Sequence, residues 1–383
     1  MKVLFLTDGI YPFQIGGMQK HSLILAKLLA ERGLDLHIFH IGGEGYSPYA
    51  FSKEFEDYSA HVKETMIPFP KTDPLPGHYI RENKKYSKLI YDQVKDRMDD
   101  FDVVYAQGFT AWYMIWQKVK GKVRTPIAVN FHGYEMFQKP PNNRVKWEYK
   151  LFRKAVKYNI MNADYVYSFG GQIGKIIREI GIREEKILLQ SNGITEDWLT
   201  GTDANQLRNQ KRTLVFIGRN ERRKGVEELN TALTKLLKRE DLNFDFHFIG
   251  PIPEGVRIND DRLIYHGEIR ETDKIKEILH HSDVLVCPSH SEGMPTVILE
   301  AMASGLAIIA TDVGAVSRQI KENGILLEEP DPQALQEALF EMINCSAEDI
   351  NRMKSNSIEL VKKKFLWSVI ADQKVKDFKK MIQ

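Results

Sequence analysis

The sequence predicts an α/β protein built from two doubly wound domains. Strand–loop–helix–strand units begin at residue 2 and start again at residue 213, and a polar, strand-poor segment, residues 193–212, separates the two series. Right-handed crossovers make the strands of such units parallel neighbours, and ligands of parallel sheets bind beyond the carboxyl ends of the strands. We therefore expect two domains that face each other across a cleft, with the functional residues at their strand ends.

The first domain opens with a buried strand at residues 2–7 and a loop that contains Gly16 and Gly17. Apolar residues at helical spacing follow from residue 19 to residue 32, and Gly33 supplies the C-cap. The segment LHIFHI is the next strand. Apolar runs predict further strands at residues 103–106, 127–131, 165–168 and 187–189.

The second domain repeats the pattern. Strands are predicted at residues 213–218, 244–250, 262–267, 284–288 and about 325–327, and helices at residues 225–238 and 272–280. Asp331 before Pro332, and later Ser346, are typical of helix N-termini. Residues 366–383 carry apolar side chains at helical spacing, so this last helix needs a surface to cover.

Composition excludes several classes of protein. The 383 residues, 43% of them hydrophobic, can form cores for two domains, and the net charge of +2 is too small for a dedicated nucleic-acid binder. Two cysteines, Cys287 and Cys345, cannot form a disulfide framework or a cysteine zinc site. There is no apolar run of about 20 residues and no signal peptide, which predicts a cytoplasmic chain.

Positive charge is concentrated in the first domain. Eleven Lys and Arg residues lie between Lys118 and Lys157, against only Glu135 and Glu148. Aromatic residues accompany the part from residue 139 to residue 157. This region has two interpretations: a peripheral contact with an anionic membrane or an acceptor at the inner face of the membrane, or an ordinary solvated surface.

The segment SEGMPTVILEAMASG, residues 291–305, carries the strongest functional signal because it follows the strand VLVCP and opens a helix. The unpaired N–H groups and the dipole of a helix N-terminus favour phosphate. The candidate diphosphate-binding residues at this turn are Gly293, Met294, Pro295 and Thr296. Glu292 on the loop can accept hydrogen bonds from sugar hydroxyls, and Glu300 inside the helix can accept them from a ribose.

A second signal is the loop GRNERRKG, residues 218–225, directly after the strand TLVFI. A cationic loop between the end of a strand and a helix is placed to hold phosphate. Arg219 can bind two oxygen atoms with its planar guanidinium, and Lys224 supplies a compact charge. Arg222 and Arg223 are expected to be solvated.

The first domain contributes weaker candidates. Gly16 and Gly17 allow the backbone to approach a ligand closely, although a simple tight turn explains them equally well. His132, in the segment FHGYE, follows a predicted strand and is either a ligand-contacting or a packed structural histidine. Asp100 and Asp102 have the spacing of a metal-binding pair but lie where a helix end meets a strand, so neither a metal nor a cofactor is predicted.

The segments GGMQKH, FHGYE, GRNERRKG and SEGMPTVILEAMASGLAIIATDVGA occur in an order that resembles the retaining glycosyltransferases of sequence family 4. The resemblance spans nearly the whole chain and implies the GT-B fold of two Rossmann-like domains. It implies an acceptor-binding domain at residues 1–192, a nucleotide-sugar-binding domain at residues 193–365, and a terminal helix, residues 366–383, that packs back on the first domain.

Roles for individual residues follow from the same resemblance. Arg219 and Lys224 would hold the donor diphosphate, Glu300 the ribose, Glu292 the transferred sugar, and Gly17 a phosphate through its backbone. His132 would lie against the sugar and the leaving phosphate. Gly314 and Ala315 stand where the family often has two glycines.

The implied reaction is metal-independent transfer of a sugar, with retention of configuration, from a UDP-linked donor. Fixed cations and helix N–H groups would neutralise the departing diphosphate, and that phosphate would take the acceptor proton. The expected acceptor is a glycan or a lipid-linked intermediate of cell-surface polysaccharide or lipopolysaccharide biosynthesis. The alternatives are a nucleotide-sugar epimerase or a phosphorylase on the same fold, and a non-catalytic nucleotide-sugar-binding protein.

Overall fold

The computed structural model describes residues 1–43, 45–73, 75, 77–137, 143–199 and 211–383. The chain forms two compact units. The first unit contains Met1–Ser191 and Trp367–Gln383, and the second contains Asn192–Leu366. Part of the segment expected to separate the domains, residues 200–210, lies outside the described residues.

The first unit is built on a parallel sheet. Its strands follow the order β3-β2-β1-β4-β5-β6-β7, and every neighbouring pair is parallel. The strands are β1 (Lys2–Leu6), β2 (Asp35–His40), β3 (Val62–Met66), β4 (Val103–Gln107), β5 (Ile127–Asn130), β6 (Tyr165–Ser168) and β7 (Ile187–Leu189). The helices between them are α1 (Gly17–Glu31), α2 (Pro48–Glu54), α3 (His78–Val94), α4 (Trp112–Val119), α5 (Asn143–Asn162) and α6 (Gly171–Glu179).

The second unit has the same architecture, with strands in the order β10-β9-β8-β11-β12-β13, all parallel. The strands are β8 (Arg212–Ile217), β9 (Phe244–Ile249), β10 (Leu263–Gly267), β11 (Val284–Cys287), β12 (Ala307–Thr311) and β13 (Gly324–Leu327). The helices are α7 (Val226–Leu236), α8 (Thr272–His280), α9 (Thr296–Ala303), α10 (Pro332–Asn344) and α11 (Ala347–Lys364). The predicted α/β class with two doubly wound parallel sheets is confirmed.

The last helix, α12 (Trp367–Met381), belongs to the first unit. Its apolar residues Trp367, Ile370, Phe378 and Met381 are part of the core that also contains β1 and α1. At its start, the Arg32 guanidinium donates to the Asp372 carboxylate over 2.7 Å. This helix therefore completes the hydrophobic core of a unit whose other residues end at Ser191, 176 positions before Trp367.

Local sequence explains most element boundaries. The Asp331 carboxylate accepts hydrogen bonds from the N–H groups of Gln333 and Ala334, and the Ser346 hydroxyl accepts one from Asp349, so both predicted caps are confirmed. Two strands were not predicted. The segment VKETM (β3) is mostly polar because it lies at the sheet edge. The segment AIIAT (β12) follows other apolar residues directly, so the apolar pattern does not show where the strand begins.

The strand orders fix where functional loops meet. In each sheet the order reverses at one point, between β1 and β4 in the first unit and between β8 and β11 in the second. Loops leaving the carboxyl ends of strands on either side of such a point diverge and leave room for a ligand. In the second unit these are the loops of residues 218–225 and 288–295, which contain the two strongest sequence signals.

No helix within the described residues is both long enough and apolar enough to cross a membrane.

Candidate functional site

The site in the second unit is organised around an ion pair between the loops that follow β8 and β11. The Lys224 Nζ donates to Glu292 Oε1 over 2.7 Å, and both side chains are largely buried, at 14% and 9% exposure. The Ser289 hydroxyl donates to the same carboxylate oxygen over 2.9 Å. The structure thus brings together two residues that sequence analysis had assigned to different groups of the ligand.

Two glycines make this pairing possible. Gly225 has a φ of +72°, and a Cβ atom there would lie 1.9 Å from the carbonyl oxygen of Pro288, so the two loops touch through their backbones. Gly314, which follows β12, has a φ of +56°, and its Cβ would lie 2.2 Å from the carbonyl oxygen of Glu292. Larger residues at either position would displace the loop that carries its functional side chain.

The arginines of the loop at residues 218–225 differ in their surroundings. Arg219 is 68% exposed and forms an ion pair within the loop, its Nε lying 3.0 Å from Glu221 Oε1. Arg222, expected to be solvated, is 55% exposed and also contacts the buried Glu228 at 2.7 Å and the imidazole of His290 at 2.6 Å. Arg219 is therefore the cation of this loop that faces solvent most openly, while Arg222 stabilises the loop.

The helix α9 begins at Thr296, with Pro295 at its N-cap position and no side chain capping its first turn. The residues before it are held by hydrogen bonds from two side chains of the same unit. The Asn192 amide donates to the Met294 carbonyl over 2.7 Å, and the Gln319 amide donates to the Pro295 carbonyl over 3.0 Å. These two hydrogen bonds hold the backbone of the turn at which the unpaired N–H groups of α9 begin.

Glu300 is the fifth residue of α9 and is half-buried, between neighbours that are fully buried. It therefore lies one turn beyond the start of the helix, on a surface that is only partly open to solvent. Cys287 ends the preceding strand β11 and is buried, and this burial raises the pKa of its thiol to about 11. The thiol is therefore protonated at neutral pH and unreactive.

In the first unit, the loop after β1 leads into α1, with Gly16 at its N-cap and Gly17 as its first residue. A Cβ at Gly16 would meet only the flexible end of Gln19, and a Cβ at Gly17 would meet no described atom within 4 Å. The fold itself therefore does not demand a glycine at position 17. The backbone N–H groups at this turn are those of the first residues of α1, a helix of fifteen residues.

His132 follows β5 and has a φ of +53°, the one non-glycine residue with a left-handed conformation in the described part of the chain. Asn130 holds it, since its Oδ1 accepts from the His132 backbone N–H over 3.0 Å and its Nδ2 lies 3.0 Å from His132 Nε2. The ring packs edge-on against His21, which in turn contacts Trp367 of α12. Such strain at a polar residue beyond a strand is typical of functional positions.

A buried charged pair on α12 lies near this histidine. Lys374 is 2% exposed; its Nζ donates to Gln190 Oε1 over 2.8 Å and lies 3.1 Å from the ring centroid of Tyr167. Burial lowers the pKa of Lys374 and raises the pKa of Asp377 on the same helix. Burial and the charge of Lys374 together lower the pKa of His132 to about 3, so its ring is neutral at pH 7.

The described part of the basic region lies on α5, while residues 138–142 at its beginning lie outside the described residues. Trp147 is 69% exposed and Leu151 is 48% exposed, one turn apart on the helix. The ammonium of Lys150 lies 4.5 Å from the centroid of the Trp147 ring. This stretch of α5 therefore presents apolar side chains flanked by lysines.

Sequence analysis missed Asn130 and Lys374. Lys374 is four residues after Ile370 and four before Phe378, and both of these are buried. The spacing therefore places Lys374 on the buried face of the helix and could have been used to predict its burial. Asn130 ends a strand that is otherwise apolar.

Among the described residues, no three His, Cys, Asp or Glu side chains cluster closely enough to hold a metal ion.

Two family models match this chain. The model described as Glycosyltransferase Family 4 matches residues 15–198, and the model described as Glycosyl transferases group 1 matches residues 211–345. The first match includes Gly16, Gly17 and His132, and the second includes the loops around Lys224 and Glu292. Both models describe glycosyltransferases rather than epimerases or phosphorylases.

Individual proteins give the same picture. A Bacillus subtilis protein described as a candidate teichuronic acid biosynthesis glycosyltransferase is 25% identical, over 71% of this chain and 69% of its own. The phosphatidyl-myo-inositol mannosyltransferase of Mycobacterium leprae is 23% identical, over 95% of this chain and 93% of its own. The crystal structure of HepE from Anabaena with UDP and glucose superposes with a TM-score of 0.65 at 18% identity, covering 99% of this chain and all of that one. With its fold, its two loop motifs and these matches in agreement, the protein is a glycosyltransferase that belongs to family 4, and its second unit is of the group 1 type.

Proposed function

We propose that this glycosyltransferase moves a sugar from a UDP-linked donor to a glycan or lipid-linked acceptor of cell-surface polysaccharide or lipopolysaccharide assembly, with retention of configuration and without a metal. The observation that carries the proposal is the buried Lys224–Glu292 pair beside the N-terminus of α9. A fixed cation, a carboxylate and the N–H groups of a helix N-terminus thus belong to the two adjacent loops that follow β8 and β11.

The pair suits a donor that carries both phosphate and sugar. A lysine ammonium has three N–H donors, and the contact with Glu292 uses one of them. The other two can bind diphosphate oxygens, so Glu292 orients Lys224 while its second oxygen accepts from a sugar hydroxyl. Arg219 is exposed and can close on the same phosphates with its planar guanidinium.

The N-terminal turn of α9 completes the diphosphate site. The backbone N–H groups of Gly293, Met294 and Thr296 bind phosphate oxygens with the help of the helix dipole, next to Pro295. Glu300, one turn inside the helix, accepts from the ribose hydroxyls. Each of these groups stabilises the diphosphate more as its charge grows on bond cleavage, which is the condition for catalysis.

In the first unit, we propose ligand contacts by the backbone of Gly17, next to Gly16, and by the side chain of His132. The backbone N–H of Gly17, the first residue of α1, binds a phosphate oxygen. Space for this contact is available, because a Cβ at Gly17 would meet no described atom within 4 Å. His132 is neutral at pH 7, so it acts on the sugar by hydrogen bonding rather than by carrying charge. The acceptor proton passes to the leaving phosphate, which becomes more basic as the bond breaks.

Retention is tested by the configuration of the sugar released when water replaces the acceptor. Proton NMR of a UDP-sugar that the enzyme hydrolyses should show the anomer of the donor first, and the other anomer only later through mutarotation. Initial release of the opposite anomer would contradict retention. Equal rates with and without a chelator are expected, because Arg219, Lys224 and the α9 turn supply the positive charge.

We further propose that the exposed stretch of α5 contacts an anionic membrane that carries the acceptor. Trp147 and Leu151 can enter the interface while the nearby lysines meet lipid headgroups. Reversal of the exposed lysines at 150, 154 and 157 to glutamate should abolish sedimentation with phosphatidylglycerol vesicles at low salt.

A control variant reverses three exposed lysines of the second unit, Lys235, Lys238 and Lys274. It changes net charge equally and should still sediment. Equal loss in both variants would show a nonspecific charge effect, and failure of the unmodified chain to bind at low salt would remove the membrane proposal.

A further inference from the structure

Asn130 contacts both the backbone and the ring of His132. It is the last residue of β5 and is 2% exposed. Its Oδ1 accepts from the His132 backbone N–H over 3.0 Å. Its Nδ2 donates to the Tyr105 hydroxyl over 3.1 Å and lies 3.0 Å from His132 Nε2.

These contacts fix the orientation of the amide. A backbone N–H can only donate, so the side-chain oxygen of Asn130 must face it, and the NH₂ group must face Tyr105 and the imidazole. The NH₂ group has two hydrogens and two neighbours that can accept. His132 Nε2 is therefore the acceptor of the second hydrogen and carries no proton of its own.

A neutral imidazole carries one proton, so the proton of His132 lies on Nδ1. The surroundings disfavour a second proton. The ring is packed against His21 and Phe169, and the positive charge of the buried Lys374 on α12 disfavours a second positive charge on the ring. A proton on Nε2 would also point at the NH₂ group of Asn130, where it would meet a donor instead of an acceptor.

We propose that Asn130 is a positioning residue that holds His132 as the neutral Nδ1–H tautomer, so that His132 offers its ligand a hydrogen-bond donor and cannot serve as a base through Nε2. The same amide holds the backbone of His132 in its left-handed conformation. The ligand contact rests on the function proposed above, whereas the tautomer is a property of the protein alone.

Asn130→Asp is the variant that tests this assignment, because aspartate has nearly the same shape. One carboxylate oxygen can keep the hydrogen bond from the His132 backbone, and the other can accept from Tyr105. The contact at Nε2 is reversed, since a carboxylate needs a proton on that nitrogen. The ring should become protonated at Nε2 without loss of the fold.

The measurement is the tautomer of His132 by NMR of the full chain labelled with ¹⁵N in its histidine rings. The signals of His132 are identified by their disappearance in His132→Gln. The unmodified protein should show a protonated Nδ1 and an unprotonated Nε2, and Asn130→Asp should show a protonated Nε2. The buried His40, whose Nε2 lies 3.1 Å from Glu64, should be unchanged in both.

Activity provides a second readout. Asn130→Asp should lower the kcat of donor hydrolysis by about tenfold, the effect of losing one hydrogen bond. The affinity for UDP should stay the same, because the proposed UDP contacts are made by the second unit and by the backbone of Gly17, and none of them involves Asn130.

A protonated Nε2 in the unmodified protein would overturn the proposal, and so would an Asn130→Asp variant with unchanged ring signals or unchanged kcat. If the tautomer is as expected but the unmodified chain hydrolyses no nucleotide sugar, the proposed donor chemistry fails while the role of Asn130 in fixing the ring stands.

Discussion

Lys224→Ala is expected to lower donor turnover by about 10²–10³-fold, the usual effect of removing one preorganised group from a site of developing charge. Lys224 is 14% exposed and held by Glu292 at 2.7 Å, so its ammonium needs no reorganisation when the diphosphate charge grows. The alanine variant also removes the nearer of the two cations at Glu292, leaving only Arg223 at 3.7 Å, so the less compensated carboxylate repels the diphosphate more strongly. Steady-state hydrolysis of the preferred nucleotide sugar measures the loss.

The fold should survive this change, because Glu292 retains its hydrogen bond from Ser289. A matched control is Arg270→Ala, which removes a cation of the same unit that is 82% exposed and should leave turnover unchanged. Turnover close to normal in Lys224→Ala, with the same melting temperature, would show that this lysine does not act on the leaving diphosphate.

Lys374→Met is expected to destabilise the first unit by about 3 kcal/mol, in the range found when one member of a buried charged pair is removed. The change removes the hydrogen bond to Gln190 and the contact with the Tyr167 ring, and it leaves Asp377 buried without a compensating cation. Hydrogen exchange in α12 and β6 under increasing urea measures the effect on this unit separately from the other.

Replacing both charged residues, as in Lys374→Met with Asp377→Leu, should restore most of the lost stability, because neither member of the pair is then left buried without the other. The control is Lys379→Met, an exposed lysine of the same helix, which should change little. If Lys374→Met alone were as stable as the unmodified chain, the buried lysine would carry no interaction of consequence.

The positions of the two loops in the second unit could be predicted from sequence because the residues of each loop are close together along the chain. Each motif combines a strand end, a loop and a helix start within about a dozen residues, and the parallel sheet brings neighbouring strand ends to one edge. Topology thus explains why Lys224 and Glu292, 68 positions apart, lie close in space. Their direct ion pair was not foreseen, since it depends on how closely Gly225 approaches Pro288.

The interactions of His132 with Asn130 and Lys374 in the first unit could not be derived in this way. Lys374 lies on the last helix, 242 positions after His132, and no local pattern encodes an electrostatic interaction between residues so far apart. Asn130 was overlooked because a polar residue at the end of a strand has many ordinary uses. The edge strand β3 was missed for the opposite reason, because its exposed side chains lack the apolar signature of a central strand.

We propose that cations of the protein, without a metal, hold a nucleotide-sugar diphosphate for transfer. The most direct test measures thermal stabilisation and slow hydrolysis of the unmodified chain across UDP-, GDP- and ADP-linked sugars, each with and without a chelator. We predict that a UDP-sugar raises the melting temperature and is hydrolysed at the same rate when the chelator is present. Loss of hydrolysis on chelation, or no stabilisation by any nucleotide or nucleotide sugar at millimolar concentration, would contradict the account.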